Sequence, residues 1–531
     1  MVSRARRSST PTAAIRCAVL LPLAGCLSTA CAFVPEPSLP EAAPDPLPPV
    51  ADTLPDGFSA SLQAGEYEPL EWWRAFADPV LDEVIDAALA SNFDMAVAVA
   101  RVQQARETAR LARAAVFPVV GARASVDDFS SPTNAGIGAQ LQELGLEEAL
   151  GDTADDFTLP DRLGLTTYAL SADVAYELDF WGRARNEQLA AGADYLASES
   201  DLRAVRIGIL AETIAAYFEI VDLRQRIALA RETVQVLLER EAVAAARYDR
   251  GLDDSLALYR VRQELRDTQA GLPQLENRLA AAEGRLAVLL GGYREDLQTL
   301  LPDTPAPAPP PDPVPAGVPA DLLFQRPDVR AAGHRLEAAG YAIEARRAEL
   351  LPSLSLSGSI GLQTSDIAGL LNVHQWFANL AADLLAPVFD GGRLRTRVAL
   401  AEARFNELAA AYGRTVVTAV SEVEAALAGL ENEGRRHAFL VSRRDEAQAT
   451  LDLRSERYTS GIGGYADFLD ALRAFLNVES ALAGAGRDLA LARLAVHRAL
   501  GGAWVASDVP DGLLPASRAD RAEAPAGQGV E

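Results

Sequence analysis

The sequence predicts a mainly α-helical protein that also contributes a few strands to a membrane β-barrel. Three observations point there. The composition is 49% hydrophobic but only 6% aromatic, and rich in alanine, leucine and arginine, a helix-forming mixture. A set of motifs recurs in the same order in both halves of the chain. Within each half the apolar spacing switches from helical to strand period and back. At 531 residues, length alone leaves the architecture open, so these patterns decide it.

Charge and cysteine usage remove several classes of function. A formal net charge of −25, with no segregated basic stripe, argues against nucleic acid, whose phosphates this surface would repel. All 49 basic residues are arginine, a composition bias that carries no functional weight. Cys17, Cys26 and Cys31 all lie near the N-terminus, so neither a disulfide framework nor a thiolate metal site is available to the rest of the chain. His334, His374, His437 and His497 are scattered and read as helix-surface or loop residues. No HExxH, GxSxG or phosphate-binding loop occurs. We expect no enzyme, no cofactor and no metal.

The chain opens with an address. Arg4, Arg6, Arg7 and Arg16 precede an apolar run around Ala18 to Leu23, far shorter than the roughly 20 residues of a spanning helix, which marks residues 1–25 as an export signal. The run ends in Leu23-Ala24-Gly25-Cys26, which resembles the bacterial lipobox. There the cysteine sulfur takes a diacylglycerol and becomes the first mature residue. Cys26 is therefore the expected lipidation site; Cys31, after Ser28-Thr29-Ala30, fits less well. Each buried CH₂ of a lipid chain contributes about 0.8 kcal/mol, so several chains on one cysteine hold a protein firmly to a bilayer. The proline-rich residues 26–57 read as a tether.

Residues 58–300 and 320–505 are two copies of one pattern. Ala115-Val116-Phe117-Pro118 is echoed by Glu349-Leu350-Leu351-Pro352, and Asp179-Phe180-Trp181-Gly182-Arg183 by Val388-Phe389-Asp390-Gly391-Gly392-Arg393. Arg247-Tyr248 with Gly251 returns as Arg457-Tyr458 with Gly461, and Gly291-Gly292 as Gly501-Gly502. Between the copies, residues 301–319 carry a proline run that reads as an extended linker. Residues 506–531 read as a disordered tail.

Each copy holds a hairpin. Leu354, Leu356, Ile360 and Leu362 alternate with serines, and Tyr168, Leu170, Val174, Tyr176 and Leu178 alternate with polar residues. Weaker partners lie at 118–127 and 376–386, where Trp376, Leu380 and Leu384 share a face. That makes four strands. The segment from Tyr168 to Leu178 has the roughly 9–11 residues and the aromatic ends of an outer-membrane strand. Membrane barrels start at about eight strands, so several chains must share one barrel. The first hairpin exceeds the second by about 25 residues in the repeat comparison. The excess, around 128–162, is acidic (Asp128, Glu143, Glu147, Asp152, Asp155) and is expected as a loop facing outside the cell.

The helices follow from proline placement. None interrupts residues 161–272 or 388–509, which permits helices over about 182–247 and 392–458, each on the order of 100 Å long. Shorter helices at about 94–116 with 252–290, and 328–351 with 463–500, match the long ones when stacked end to end. The spacing of Val416, Val420, Val423, Leu427 and Leu430 alternates steps of four and three, as a coiled-coil seam does.

The residues also carry a family resemblance. Trp72-Trp73, Phe76, Asp78-Pro79, Ala87 and Leu89, Asn92 and Ala100-Arg101 resemble the opening of the outer-membrane efflux lipoproteins related to TolC, OprM and NodT. Gly317-Val318-Pro319-Ala320-Asp321-Leu322-Leu323 followed by Arg326-Pro327-Asp328-Val329 resembles the signature that opens the family's second repeat, with Phe324-Gln325 departing from the charged residues usual there. The resemblance spans roughly residues 58–505. It implies a homotrimer whose chains share one twelve-stranded barrel and an α-helical periplasmic tunnel. It also implies a passive exit duct in the outer membrane, served by a periplasmic adaptor and an inner-membrane transporter of the resistance-nodulation-division (RND) type. Two alternatives stay open: a lipid-anchored coiled-coil scaffold without a pore, and an exit duct for type I protein secretion.

The same resemblance locates a gate. The turns at Gly251 and Gly461 would form the periplasmic tips, with Tyr458, Asp467 and Asp470 spaced as in the family's gate segment. Aspartates at i and i+3 share a helix face, and copies of them around one axis would disfavour full ionisation and attract cations. Gly463-Gly464 stand where the gate segment can carry an arginine. Asp253 and Asp254 at the first-repeat tip are secondary candidates.

Overall fold

The computed structural model describes residues 72–132, 162–252, 254–301 and 326–502. The export signal, Cys26, the tether, most of the acidic loop, the linker beyond Leu301, Asp253 and the tail lie outside the described residues.

The helices of the two repeats have the same three lengths. In the first, α2 (Phe93–Ala114), α3 (Arg183–Asp249) and α4 (Ser255–Leu289) have 22, 67 and 35 residues. In the second, α5 (Pro327–Ala348), α6 (Arg393–Thr459) and α7 (Tyr465–Ala499) repeat 22, 67 and 35. Both long helices start after a left-handed glycine, Gly182 at φ 77° and Gly392 at φ 85°, and both begin within two residues of the predicted start. Pro273 lies inside α4, its ring on the exposed side.

Each pair of short helices runs end to end along a long one. α2 and α4 both pack on α3, α5 and α7 both lie against α6, and α5 and α7 also touch α3. The columns therefore stand in the order α2 with α4, then α3, then α5 with α7, then α6. The predicted seam holds: Val416, Val423 and Leu427 are buried, and Val420 and Leu430 partly so.

The joints within each column are explicit. Asn92 caps α2, its Oδ1 accepting from Asp94 N at 2.8 Å and Met95 N at 3.0 Å, while its Nδ2 donates to the Leu289 carbonyl of α4 at 2.9 Å. In the second repeat the Arg326 guanidinium donates to the Ala499 carbonyl at 2.8 Å and to Asp328 and Glu422, each at 2.7 Å. At the first joint Gly291 has φ 65°, and a Cβ there would come within 2.3 Å of the Ser91 carbonyl oxygen, so only glycine fits.

One helix escaped the periodicity. A 3₁₀ turn, Trp72–Phe76, leads into α1, Pro79–Ser91, which has no counterpart among the described residues of the second half. Asp78 caps α1 through Val80 N at 3.0 Å and also accepts from the Tyr217 hydroxyl at 2.6 Å. Trp72, Phe76, Leu81 and Ile85 pack on Tyr217 and Phe218 of α3, with Leu286 and Leu494, to form the largest core. Leu301, assigned above to the linker, belongs to this core. His497 does too. It is not a surface residue: it stacks on Trp72 with ring centroids 4.6 Å apart.

The four strands are β1 (Val119–Pro132), β2 (Arg162–Leu178), β3 (Ser353–Thr364) and β4 (Trp376–Leu385), in one antiparallel sheet of order β1-β2-β3-β4. β1 and β2 run further into the acidic stretch than the alternation shows, to Pro132 on one side and from Arg162 on the other. Opposed residues of an antiparallel pair share a face, and the register sorts the side chains by polarity. Val120, Val174, Gly358 and Leu380 form one row, and Ala124, Leu170, Leu362 and Trp376 another, on the same face. The opposite face carries Gly121, Asp173, Ser359 and Asn379, with Glu177, Ser355 and Asp383 in a further row. A Cβ on Gly361 would fall within 2.3 Å of the Leu170 carbonyl oxygen, so the approach of β3 to β2 at that point requires glycine. Both edges, β1 and β4, have no strand partner among the described residues.

Candidate functional site

The tips lie at the ends of the long helices far from the sheet. Gly251 and Gly461, at φ 72° and 76°, close equivalent turns. Each donates its N–H to the carbonyl of the preceding tyrosine, Tyr248 at 2.8 Å and Tyr458 at 3.0 Å, and the next residue donates to Arg247 or Arg457. These are Schellman ends, which satisfy the last carbonyls of a helix that must stop sharply.

The two tips pack on each other. Leu237, Leu258, Val261 and Leu265 of the first repeat bury Phe468, Leu469 and Leu472 of α7. Tyr458 stacks over Phe468 at 6.0 Å and meets Tyr465 at 5.2 Å. Two guanidiniums of α3 face this aromatic group, Arg240 at 4.7 Å from the Phe468 centroid and Arg247 at 5.9 Å from that of Tyr458. Burial, and then the neighbouring Tyr458, push the Tyr465 hydroxyl well above the ordinary phenol range.

Asp467 and Asp470 stand on the face of α7 opposite Phe468 and Leu469, and both are exposed. Asp467 accepts from Arg454 of α6 at 3.5 Å, and Asp470 lies 3.9 Å from Arg473. Arg473 spends its stronger bond elsewhere. Its Nε donates to Glu264 of α4 at 2.7 Å, which raises the guanidinium's affinity for its proton and ties the second tip to the first. Asp254 acts locally and caps α4 by accepting from Ala257 N at 3.1 Å. Its counterpart Gly464 caps α7 without a side chain.

The structure thus brings Tyr458, Asp467 and Asp470 to one tip and places Asp254 on the other. Sequence reasoning missed Glu264, Arg473, Arg240 and Phe468. The Glu264–Arg473 pair spans 209 positions, and neither residue belongs to a repeated motif, so no local signal marked it. Among the described residues no group of His, Cys, Asp or Glu is arranged to hold a metal ion. No described helix is long and apolar enough to cross a membrane.

At the opposite end of the helices, six charges of alternating sign tie strand to helix. Glu177 of β2 pairs with Arg183 at 2.8 Å, Arg183 with Glu187 at 3.2 Å, Glu187 with Arg346 at 3.6 Å, Arg346 with Glu349, and Glu349 with Arg397 at 3.1 Å. Trp181 adds a bond between the repeats, its indole N–H donating to the Pro352 carbonyl at 2.7 Å.

Comparison with known proteins agrees with this architecture. The outer membrane efflux protein family matches residues 84–292 and 318–502. The outer membrane protein OprJ of Pseudomonas aeruginosa is 32% identical over 469 residues, 86% of this chain and 91% of OprJ. The pyoverdine export outer membrane protein OpmQ of Pseudomonas putida is 30% identical over 465 residues, 87% of this chain and 94% of its own. The solved outer-membrane channel OprN is similar with a TM-score of 0.74 at 28% identity, over 85% of this chain and 98% of that one. With two long helical hairpins, a sheet apolar on one face, and a family match across both repeats, the chain belongs to the outer membrane efflux proteins, passive outer-membrane channels and not enzymes.

Proposed function

We propose that three copies of this chain close a single twelve-stranded barrel and a helical tunnel, forming the exit duct of a tripartite efflux assembly. The observation that supports this best is the sheet. Its four described strands leave two unpaired edges and a face that is apolar over the rows from Val120 to Val126 and from Tyr168 to Leu178; that face suits lipid, but lipid does not tolerate the edges until they are paired in a closed ring. The lateral columns carry exposed apolar residues to match, Leu111 and Tyr259 on one side, Val417 and Phe439 on the other. Joining one side to the other, copy after copy, is a heterologous contact that closes when the rotation allows.

In this reading a periplasmic adaptor and an inner-membrane RND-type pump deliver substrate, a lipid on Cys26 adds an anchor in the outer membrane, and the tips form the gate. The exposed carboxylates of Asp467 and Asp470 would ring the axis, where mutual repulsion favours bound cations. The relative OpmQ is named for pyoverdine export; the cargo of this chain is set by the pump that feeds it.

The test is mass measurement of the purified protein in detergent together with planar-bilayer recording, and crosslinking in intact cells. A detergent-resistant trimer with discrete conductance, copurifying with an adaptor and an RND-type pump, supports the duct. A monomer or dimer without conductance would favour the coiled-coil scaffold, and recovery of a type I exporter would move the protein to secretion.

A further inference from the structure

Between α3 and α7, with His437 of α6 at one side, lies a groove of about 440 Å³. This is within the range of small-molecule sites, about 300–1,000 Å³. Both flanking helices stand in interior columns, so neither lateral edge that another copy would cover runs along it. Its floor is apolar, formed by Phe218, Val221, Leu229 and Leu482.

The groove holds charge of both signs. Asp222 is 3% exposed and accepts from Arg226 Nε at 2.8 Å and from Arg487 at 3.0 Å. That buried carboxylate fixes Arg226 through its Nε, leaving the terminal nitrogens for the groove that the residue lines. One of them packs against Gly484 of α7, where a Cβ would come within 2.5 Å of it. Glu479 of α7 also lines the groove, is half-buried, and pairs with no cation among the described residues. Gln225 and His437 add neutral hydrogen-bonding groups.

We propose that this groove binds a zwitterionic amphiphile of small-molecule size. Its anionic group sits on Arg226, its cationic group at Glu479, and its apolar body over Phe218, Val221 and Leu482. A singly charged anion would gain Arg226 but meet Glu479 and the field of a chain with net charge −25. A singly charged cation would meet Arg226 and Arg487. A molecule with both charges satisfies both walls, and the burial of Glu479 makes its neutralisation worth more than at an open surface. The site does not depend on the chain forming a duct; a scaffold would carry it equally.

The full-length protein in dodecyl maltoside, a neutral detergent, is titrated calorimetrically with three probes that share one tail: octylphosphocholine, octyl sulfate and octyltrimethylammonium, all below micelle formation. The zwitterion is expected to bind at least about tenfold tighter than either singly charged probe. Glu479→Gln, a change at a partly exposed position with no bonding partner to lose, should remove that advantage and tighten octyl sulfate, which no longer meets a carboxylate there. Arg226→Gln should weaken both the zwitterion and octyl sulfate. Equal binding of all three probes, preference for a singly charged one, or an unchanged preference in Glu479→Gln would overturn the proposal.

Discussion

The Asn92 side chain donates to the Leu289 carbonyl at 2.9 Å across 197 positions of sequence, and so welds α4 to α2. One amide thereby serves both helix ends, taking a free carbonyl of the first and supplying an acceptor to the N–H groups of the second. Asn92→Ala should cost about 2 kcal/mol, the sum of a lost cap and an unmatched carbonyl. Chemical denaturation of the purified protein measures it, and a midpoint equal to that of the parent would show that the joint is satisfied by water.

Arg326 performs the second weld with a charge. It binds the Ala499 carbonyl, Asp328 and Glu422, and its side chain is only 8% exposed. Arg326→Met should destabilise by about 2–3 kcal/mol, below the range for fully buried pairs because both carboxylates stay half-exposed. Burial pushes the Asp328 carboxyl up, but the Arg326 hydrogen bond and charge outweigh it and hold the group below its ordinary range. Its contribution is therefore complete above the unfolded pKa and disappears as pH falls through the folded one. The stability difference between parent and Arg326→Met should shrink below about pH 4.

His497 titrates in the opposite chemical sense. Burial, then the nearby Arg493, lower its pKa to about 3, so the folded protein keeps it neutral. The unfolded chain takes up the proton near pH 6.5. Stability should thus fall by up to about 1.4 kcal/mol for each pH unit below that value. Melting curves at pH 7.5 and 5 test this, and His497→Phe, which preserves a ring against Trp72, should flatten the slope.

Glu264 and Arg473 latch the two tips together. Arg473→Gln should free α7 at its tip and raise single-channel conductance, and Glu264→Arg with Arg473→Glu should restore the parent value. If the swap restores nothing, packing around Phe468 alone holds the tips. Replacing Asp467 and Asp470 together by alanine should also raise conductance; an unchanged value removes them from the gate.

The faces of the sheet make opposite predictions. Leu170→Arg, on the apolar face, should cost about 2–4 kcal/mol near the bilayer midplane. Ser359→Arg, on the polar face, should cost far less and change ion preference instead. Refolding into vesicles separates the two, and equal costs would mean that the apolar face does not meet lipid.

The helices and the hairpins were legible in the sequence because their signals are local and occur twice. Gly182 and Gly392, Gly251 and Gly461 mark the ends of α3 and α6 to within two residues. What escaped has no second copy or no local sign. α1 is short and unrepeated, so its Trp72-Trp73 opening read as a family mark before it read as core. His497 looked like a helix-surface residue because Trp72, which covers it, comes from the other end of the chain. The charge chain from Glu177 to Arg397 and the latch at Glu264 join residues from both repeats, and spacing along one strand or helix carries no trace of them. The gate candidates Tyr458, Asp467 and Asp470 came from resemblance, and the structure adds the partners that hold them.

Residues 162–167 of β2 pair with β1 alone, beyond the point where β3 ends. In a closed ring, tall and short hairpins would therefore alternate around the outer mouth like battlements. Whatever reached the cell from outside, an antibody or a phage fibre, would then meet the hairpin of β1 and β2, beyond Phe129, before that of β3 and β4. Pressure to escape recognition would then fall on one half of a duplicated chain, while a shared tunnel wall would keep the helices of both halves at their equal lengths.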